Sequence, residues 1–416
     1  MAMSAEILLT TTRCPAGDKM KPTVAAEGVC VVLALAMLAL VACGSAPPQT
    51  SQPSAIPPET AAAARATATL PQAAATVARS TQGSASFPLS EPGTYHVGMR
   101  SVVSEDPSRD HRSIAITVWY PALGSQESTG RGPTRDAPLD LSGAPYPLLL
   151  SSTKAASIFA PFLVTHGFTW ASVDKLDYYI PWNTQLVMQP LDILFALDQV
   201  ASSPPVGLEG AIDAEHAGAI GYSFDGYNAL ALSGARVDPE FYLEQCANAP
   251  SMEPALGSFW IDYYCRMSGN WAQFADVAGA VITASDDGLW QPITDARIRA
   301  VMPMAPEGAW LFGDRGLAAV DRPTLIIGAT EDVDCDYWRE AAYIFDHLGT
   351  PDKSLISFIG RGHMMVFEPD MVARMAHFAT AFFGHHLQGR QDFEQYFSDE
   401  FVARHDDLAW GVYTGD

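Results

Sequence analysis

Positive charge is what this chain has least of: 24 Lys and Arg stand against 47 Asp and Glu, a formal net charge of -23 that no basic cluster offsets. A polyanion would be repelled on approach, so nucleic acid is excluded as a partner and polyanionic substrates are disfavoured. Acidity of this size suits a soluble body at an extracytoplasmic surface, or serves solubility alone. Long hydrophobic runs are scarce near the N-terminus too: the apolar stretch from Val29 to Ala42 is too short to span a bilayer well. No internal repeat divides the chain. What is there is a globular composition, 48% hydrophobic and 17% charged. The 416 residues are accounted for by one α/β domain of about 300 residues with targeting and linker segments.

Lys19 and Lys21 precede the apolar run, which ends Leu40-Val41-Ala42-Cys43-Gly44. This pattern resembles a bacterial lipoprotein signal, with residues 1–42 removed and Cys43 left as the lipidated first residue. Met20 is an alternative start, because the residues before it include acidic ones that suit a signal poorly. Residues 43–85 are rich in Ala, Pro, Ser and Thr, cannot bury enough apolar surface to fold, and read as a tether. The expectation is an exported bacterial lipoprotein anchored to the outer face of a cell membrane, with multiple acyl chains on Cys43 making the attachment stable. Of six cysteines, Cys14 and Cys30 would leave with the signal. Cys246 and Cys265 bracket an aromatic, loop-rich segment and are the favoured disulfide in an exported protein, with other pairings open. Cys335 would then be free, ordinarily as a buried thiol.

The body of the chain alternates strands with helices. Ser113–Tyr120, Pro147–Leu150, Phe168–Val173, Ala217–Ile220, Arg297–Met304, Pro323–Gly328 and Ser354–Ile359 read as strands, while Ile158–Val164, about Gln185–Val200 and Tyr227–Leu232 read as helices. Such alternation implies an α/β fold with a mostly parallel central sheet flanked by helices, and sites at the carboxyl ends of the strands. The domain is expected to cover 86–390, with a C-terminal extension over 391–416. Within it, 238–295 breaks the alternation and gathers Trp260, Tyr263, Tyr264, Trp271 and Trp290, so it reads as a lid or as ordinary aromatic core.

Chemistry enters at Gly221-Tyr222-Ser223-Phe224-Asp225-Gly226, where an apolar strand feeds a turn with a serine at its apex. In a strand-to-helix elbow of this kind the hydroxyl is exposed and the next backbone N–H faces an oxyanion. A serine needs a base, and the base needs a carboxylate to orient it and stabilise its charge. Asp332 lies just past the strand Leu325–Gly328, and His363 lies in the glycine-flanked loop after Ser354–Ile359. Asp332 also opens an acidic run with Asp334 and Asp336 that resembles a calcium loop, but Tyr337 stands where such a loop needs glycine. Among the other histidines, His385 and His386 read as a surface pair. Trp310 and Phe224, with Trp290, are candidates for an acyl pocket or for core.

These motifs carry a resemblance. Tyr95-His96-Val97-Gly98, Asp106-Pro107-Ser108-Arg109 and Val118-Trp119-Tyr120-Pro121-Ala122 resemble the opening of bacterial platelet-activating factor acetylhydrolase-like and dienelactone hydrolase-like proteins of the α/β-hydrolase superfamily. The likeness continues through Thr165-His166-Gly167-Phe168, Ile212-Asp213, the serine turn, Asp295-Ala296-Arg297-Ile298, Ala305-Pro306, Pro323–Asp332 and Gly362-His363-Met364, about Tyr95 to Phe382 in all. Cutinase-like polyester hydrolases share several of these motifs, so the resemblance speaks to superfamily more than to substrate. It implies an α/β-hydrolase fold with a lid-like insertion after the nucleophile helix, and a Ser223, Asp332, His363 triad in the order the superfamily uses.

Two positions depart from the pattern. Asp225 stands where the motif has glycine, adding a carboxylate that either faces the base or points to solvent. Ser151-Ser152-Thr153-Lys154 stands where the family has His-Gly in the loop that supplies an oxyanion donor. Thr153 or Lys154 could donate there, with Phe224 as the other donor, and Thr153 is preferred. The expected activity is hydrolysis of short-chain carboxylic esters, including acetyl-type esters on phospholipids, with no metal or organic cofactor. The rivals are a degenerate hydrolase fold acting as a surface binding protein, and an acyltransferase or peptidase built on the same triad.

Overall fold

The computed structural model describes residues 86–124, 132–174 and 181–415. The expected leader, Cys43 and the linker therefore lie outside the described residues. Among the described residues no helix is long and apolar enough to cross a membrane.

The strands are β1 (His96–Asp106), β2 (Arg112–Ala122), β3 (Thr134–Arg135), β4 (Tyr146–Ser152), β5 (Thr169–Val173), β6 (Ile212–Tyr222), β7 (Ile298–Met304), β8 (Thr324–Ala329), β9 (Lys353–Phe358) and β10 (Leu408–Trp410). They form one sheet in the order β10-β9-β8-β7-β6-β4-β5-β2-β1-β3. From β5 to β9 neighbours run parallel, whereas β2 is antiparallel to β5 and to β1, and β10 is antiparallel to β9. The expected α/β architecture with a mostly parallel sheet is what the chain adopts. The hairpin strand β1 and the two edge strands, β3 and β10, are additions to it. Val102, Val103 and Ser104 of β1 are exposed or half-buried, so that strand lacks the apolar run by which the central ones are recognised.

Ten helices pack around this sheet: α1 (Thr153–Leu163), α2 (Gln185–Ser202), α3 (Phe224–Leu232), α4 (Pro239–Asn248), α5 (Ser258–Cys265), α6 (Trp271–Thr283), α7 (Ala309–Leu317), α8 (Tyr343–His347), α9 (Pro369–Gln388) and α10 (Asp399–Val402), counted among the described residues. Alternation along the strands decides which face each covers. Leu149, Ile220, Met302, Leu325, Ile327 and Ile356 pack with α1 and α9. Leu148, Leu150, Ala217, Ala219 and Val301 meet α2 and α3 on the opposite face. Helix α1 starts five residues before the expected Ile158, because Ser152 in extended conformation caps it and accepts from Lys154 N–H.

Between residues 238 and 295 the chain forms α4, α5 and α6, tied by the Cys246–Cys265 disulfide, while Cys335 is free and buried. Here Trp182, Tyr242, Tyr264 and Trp310 make a continuous aromatic cluster with the sheet-covering helices. The stretch set apart as a C-terminal extension, 391–416, buries Phe401 and Val402 in the main core and contributes β10.

One buried histidine makes stability depend on pH. His377 on α9 accepts from Leu89 N–H through Nδ1 at 3.0 Å and stacks on Phe401, with ring centroids 5.1 Å apart. Burial pushes its pKa down to about 3, with a further push from His405 and His166. An unfolded histidine titrates near 6.5. Below that value the unfolded chain takes up a proton the native ring refuses, so stability is full above about pH 6.5 and falls as pH drops toward 3. His386, pushed down to about 4 by burial, adds to the same slope. Thermal melts across this range are expected to show a falling midpoint, with a shallower pH dependence in His377→Gln. An unchanged slope in the variant would remove His377 as its source.

The pair His385 and His386 is not a free surface pair. Both rings are half-buried, and His386 packs edge-on against Phe382 at 4.6 Å, because the last turn of α9 is covered by Phe397.

Candidate active site

The chain leaves β4 toward β5 on one side of the sheet and leaves β6 toward β7 on the other, so the crevice between the carboxyl ends of β4 and β6 is a topological switch point. Ser223 stands at that end of β6, and the first turn of α1 at that end of β4.

Ser223 has φ 62° and ψ -126°, a conformation that L-residues rarely hold. The turn is tight enough that a Cβ on Gly221 would lie 1.9 Å from the carbonyl oxygen of Asp225, and one on Gly226 would lie 2.9 Å from Cα of Pro306. Ser223 N–H donates to Met304 O at 2.9 Å, fixing the elbow to β7. The strained serine is thus held from both sides and its Oγ projects off the helix.

His363 Nε2 lies 2.9 Å from Ser223 Oγ, and His363 Nδ1 lies 2.7 Å from Asp332 Oδ2. The other carboxylate oxygen of Asp332 accepts N–H bonds from Asp334 and Cys335, each at 2.9 Å, so the acid is oriented by its own turn. Glu331 N–H to Arg361 O at 2.8 Å joins the loops after β8 and β9, and Tyr222 OH donates to the carbonyl of His363 at 2.6 Å. Three residues separated by up to 140 positions therefore meet in one hydrogen-bonded line, all buried. The acidic run after Asp332 is used as turn acceptors: Asp336 takes the N–H groups of Trp338 and Arg339.

Asp225 neither faces the base nor reaches solvent. It is fully buried, and its carboxylate accepts from Ser152 N–H (3.0 Å), Ser152 Oγ (3.0 Å), Ala155 N–H (3.2 Å) and Asn228 Nδ2 (3.0 Å). Burial raises its pKa, and the bonds from Asn228, Ser152 and Ala155 oppose that rise.

On the first turn of α1, Thr153 Oγ1 turns to Val173 O and Asp174, at 3.1 and 3.2 Å, while Lys154 N–H makes a long 3.4 Å contact to Ser152 Oγ. Phe224 N–H is the first of α3, on the other side of the elbow. Trp310 stacks on Tyr264 at 5.3 Å and borders a cavity of about 380 Å³ with Phe241, Met252, Trp338 and Tyr343. Trp290, read as a pocket or core residue, is buried among the aromatics of the helical layer. Its ring stacks on Phe274 at 5.2 Å and packs against Trp271, because the α6 aromatics need a partner within the helical layer.

Two buried groups near the nucleophile were not read from the sequence as part of the site, although Cys335 was expected as a buried thiol. Cys335 Sγ lies 4.0 Å from Ser223 Oγ, and burial together with the carboxylates of Glu307, Asp332 and Glu340 raises its pKa, keeping it a thiol. Glu307 is buried with Oε2 2.7 Å from Trp182 Nε1 and Oε1 3.2 Å from Tyr263 OH; burial raises its pKa, while Trp182, Lys154, Tyr263 and His363 pull it back. Its place just beyond β7, after Ala305-Pro306, was the available signal. Compared with protein-family models and with curated proteins, the chain matches none.

Proposed function

We propose that this protein is a serine hydrolase of the α/β-hydrolase type that cleaves short-chain carboxylic esters, including acetyl-type esters on phospholipids, through an acyl-enzyme. The observation that carries this reading is the Ser223–His363–Asp332 hydrogen-bonded line. Ser223 Oγ attacks the ester carbonyl while His363 Nε2 takes its proton, and Asp332 holds the imidazole in the tautomer this requires. His363 returns the proton to the departing alcohol. Water, deprotonated by the same imidazole, then cleaves the acyl-serine. Phe224 N–H and an N–H from the Thr153-Lys154 turn would hold the oxyanion. An intact serine–histidine bond weighs against a degenerate, binding-only fold.

Support for substrates with an apolar body comes from the two loops that carry the acid and the base. Val333, Trp338, Met364 and Phe367 are all exposed there. Helices α4 to α6 are read as a lid over that face, and attachment through Cys43 would keep the enzyme at a membrane's outer surface.

The test is a fluorophosphonate label followed by a series of p-nitrophenyl esters from acetyl to dodecanoyl. Labelling mapped to Ser223, with activity highest for the short acyl groups, is the expected result. A protein that takes no label and turns over no ester would end the hydrolase reading.

A further inference from the structure

The residue that departs furthest from the elbow motif is the one that joins the two halves of the site. Asp225 lies two positions beyond the nucleophile, in the first turn of α3, yet all but one of its hydrogen bonds go to the first turn of α1 on the neighbouring strand. It takes the N–H groups of Ser152 and Ala155, leaving the amides of Thr153 and Lys154 as the donors of that turn it does not engage. It also accepts from the Ser152 hydroxyl, whose oxygen in turn receives Lys154 N–H. Asn228, which donates to Asp225, donates as well to Gln189 Oε1 at 2.8 Å, extending the brace to α2. The strand side is fastened independently, since Trp170 Nε1 donates to Ser151 Oγ at 2.9 Å and Ser151 Oγ donates to the Ser152 carbonyl at 2.7 Å.

We propose that Asp225 is a positioning residue that clamps the α1 turn to the nucleophile elbow and thereby sets the spacing of the two backbone oxyanion donors. This inference rests on the serine-hydrolase reading. The Ser151–Lys154 loop keeps its donor in place through this carboxylate. The physical reason is geometric: oxyanion donors act only when fixed at about 2.7–3.1 Å from the developing charge, and a displacement of about 1 Å costs on the order of a hundredfold in rate. A fully buried acceptor braced on three helices resists that displacement.

The experiment compares wild type with Asp225→Ala and Asp225→Asn, using an ester that wild type turns over. Asp225→Ala is expected to lower kcat about 10- to 100-fold with KM within about twofold. Affinity for a trifluoromethyl ketone, which forms a tetrahedral oxyanion on Ser223, should fall by the same factor as kcat/KM. The acid limb of the pH profile should stay in place, since the His363–Asp332 pair is untouched. Asp225→Asn retains one carbonyl acceptor for Ser152 and should recover part of the loss; it carries the test alone if the alanine variant does not fold. A folded variant with wild-type kcat/KM and wild-type ketone affinity, differing only in thermal midpoint, would reduce Asp225 to a stability role and overturn the proposal. A wild type inert to ester and label would instead bring down the hydrolase reading, and this inference with it.

Discussion

Ser223→Ala is expected to eliminate fluorophosphonate labelling and to lower kcat for a short-chain ester by roughly 10⁵–10⁶-fold, with His363→Gln nearly as damaging and the double variant no worse than either alone. The non-additivity follows from the geometry. At 2.9 Å the Nε2–Oγ pair is expected to work as one unit, because a base without a nucleophile and a nucleophile without a base would both leave water as the attacking group. Asp332→Asn should cost about 10⁴-fold, since an amide opposite Nδ1 favours the wrong tautomer. Residual activity of about 10³-fold over water is expected from the oxyanion donors and binding alone. Stopped-flow or long-time-course assays on purified variants, checked for wild-type circular dichroism, measure this series. Losses that multiply in the double variant would show that Ser223 and His363 do not act together.

Gly221→Ala is the second large effect, and it acts on the scaffold. The added methyl would sit 1.9 Å from the Asp225 carbonyl oxygen, 2.2 Å from its carbon and 2.8 Å from Gly226 N, all backbone atoms of the first turn of α3. That turn cannot retreat freely, since a Cβ at Gly226 would itself lie only 2.9 Å from Pro306 Cα. Overpacking of this kind costs about 1–3 kcal/mol or more, and here it also moves Ser223 and Phe224, so activity should fall at least about a hundredfold. Gly257→Ala is the control: nothing lies within 4 Å of the added atom, and φ is -61°. Equal thermal midpoints and rates for the two variants would show that the elbow is not under this constraint.

Much of this site is legible along the chain because a parallel sheet has a simple grammar. Apolar runs too short for helices announce the central strands, and whatever follows such a run lands on one edge of the sheet. Ser223, Asp332 and His363 each follow one, which is why their meeting could be anticipated. Strand β1 could not be read the same way, since its outward face is wet. Trp290 was left between pocket and core because an aromatic residue looks the same in sequence whether it lines a pocket or fills a core. Asp225 defeated the reading for a related reason. A carboxylate two residues after such a serine suggests an electrostatic effect on the base, and only the path of α1 reveals that three donors from its first turn await it.

By itself, then, the order of residues determined the strand-helix alternation and the placement of Ser223, Asp332 and His363 at the strand ends, because hydrophobic periodicity and glycine placement act locally. Tertiary structure alone decided what Asp225 and Glu307 bond to, which aromatic rings face one another, and how the α1 turn is tied to the elbow. Those outcomes depend on distances between segments that are not neighbours in sequence, Ser152 and Asp225 being 73 residues apart, and burial makes their hydrogen bonds obligatory without saying in advance where the partners will come from.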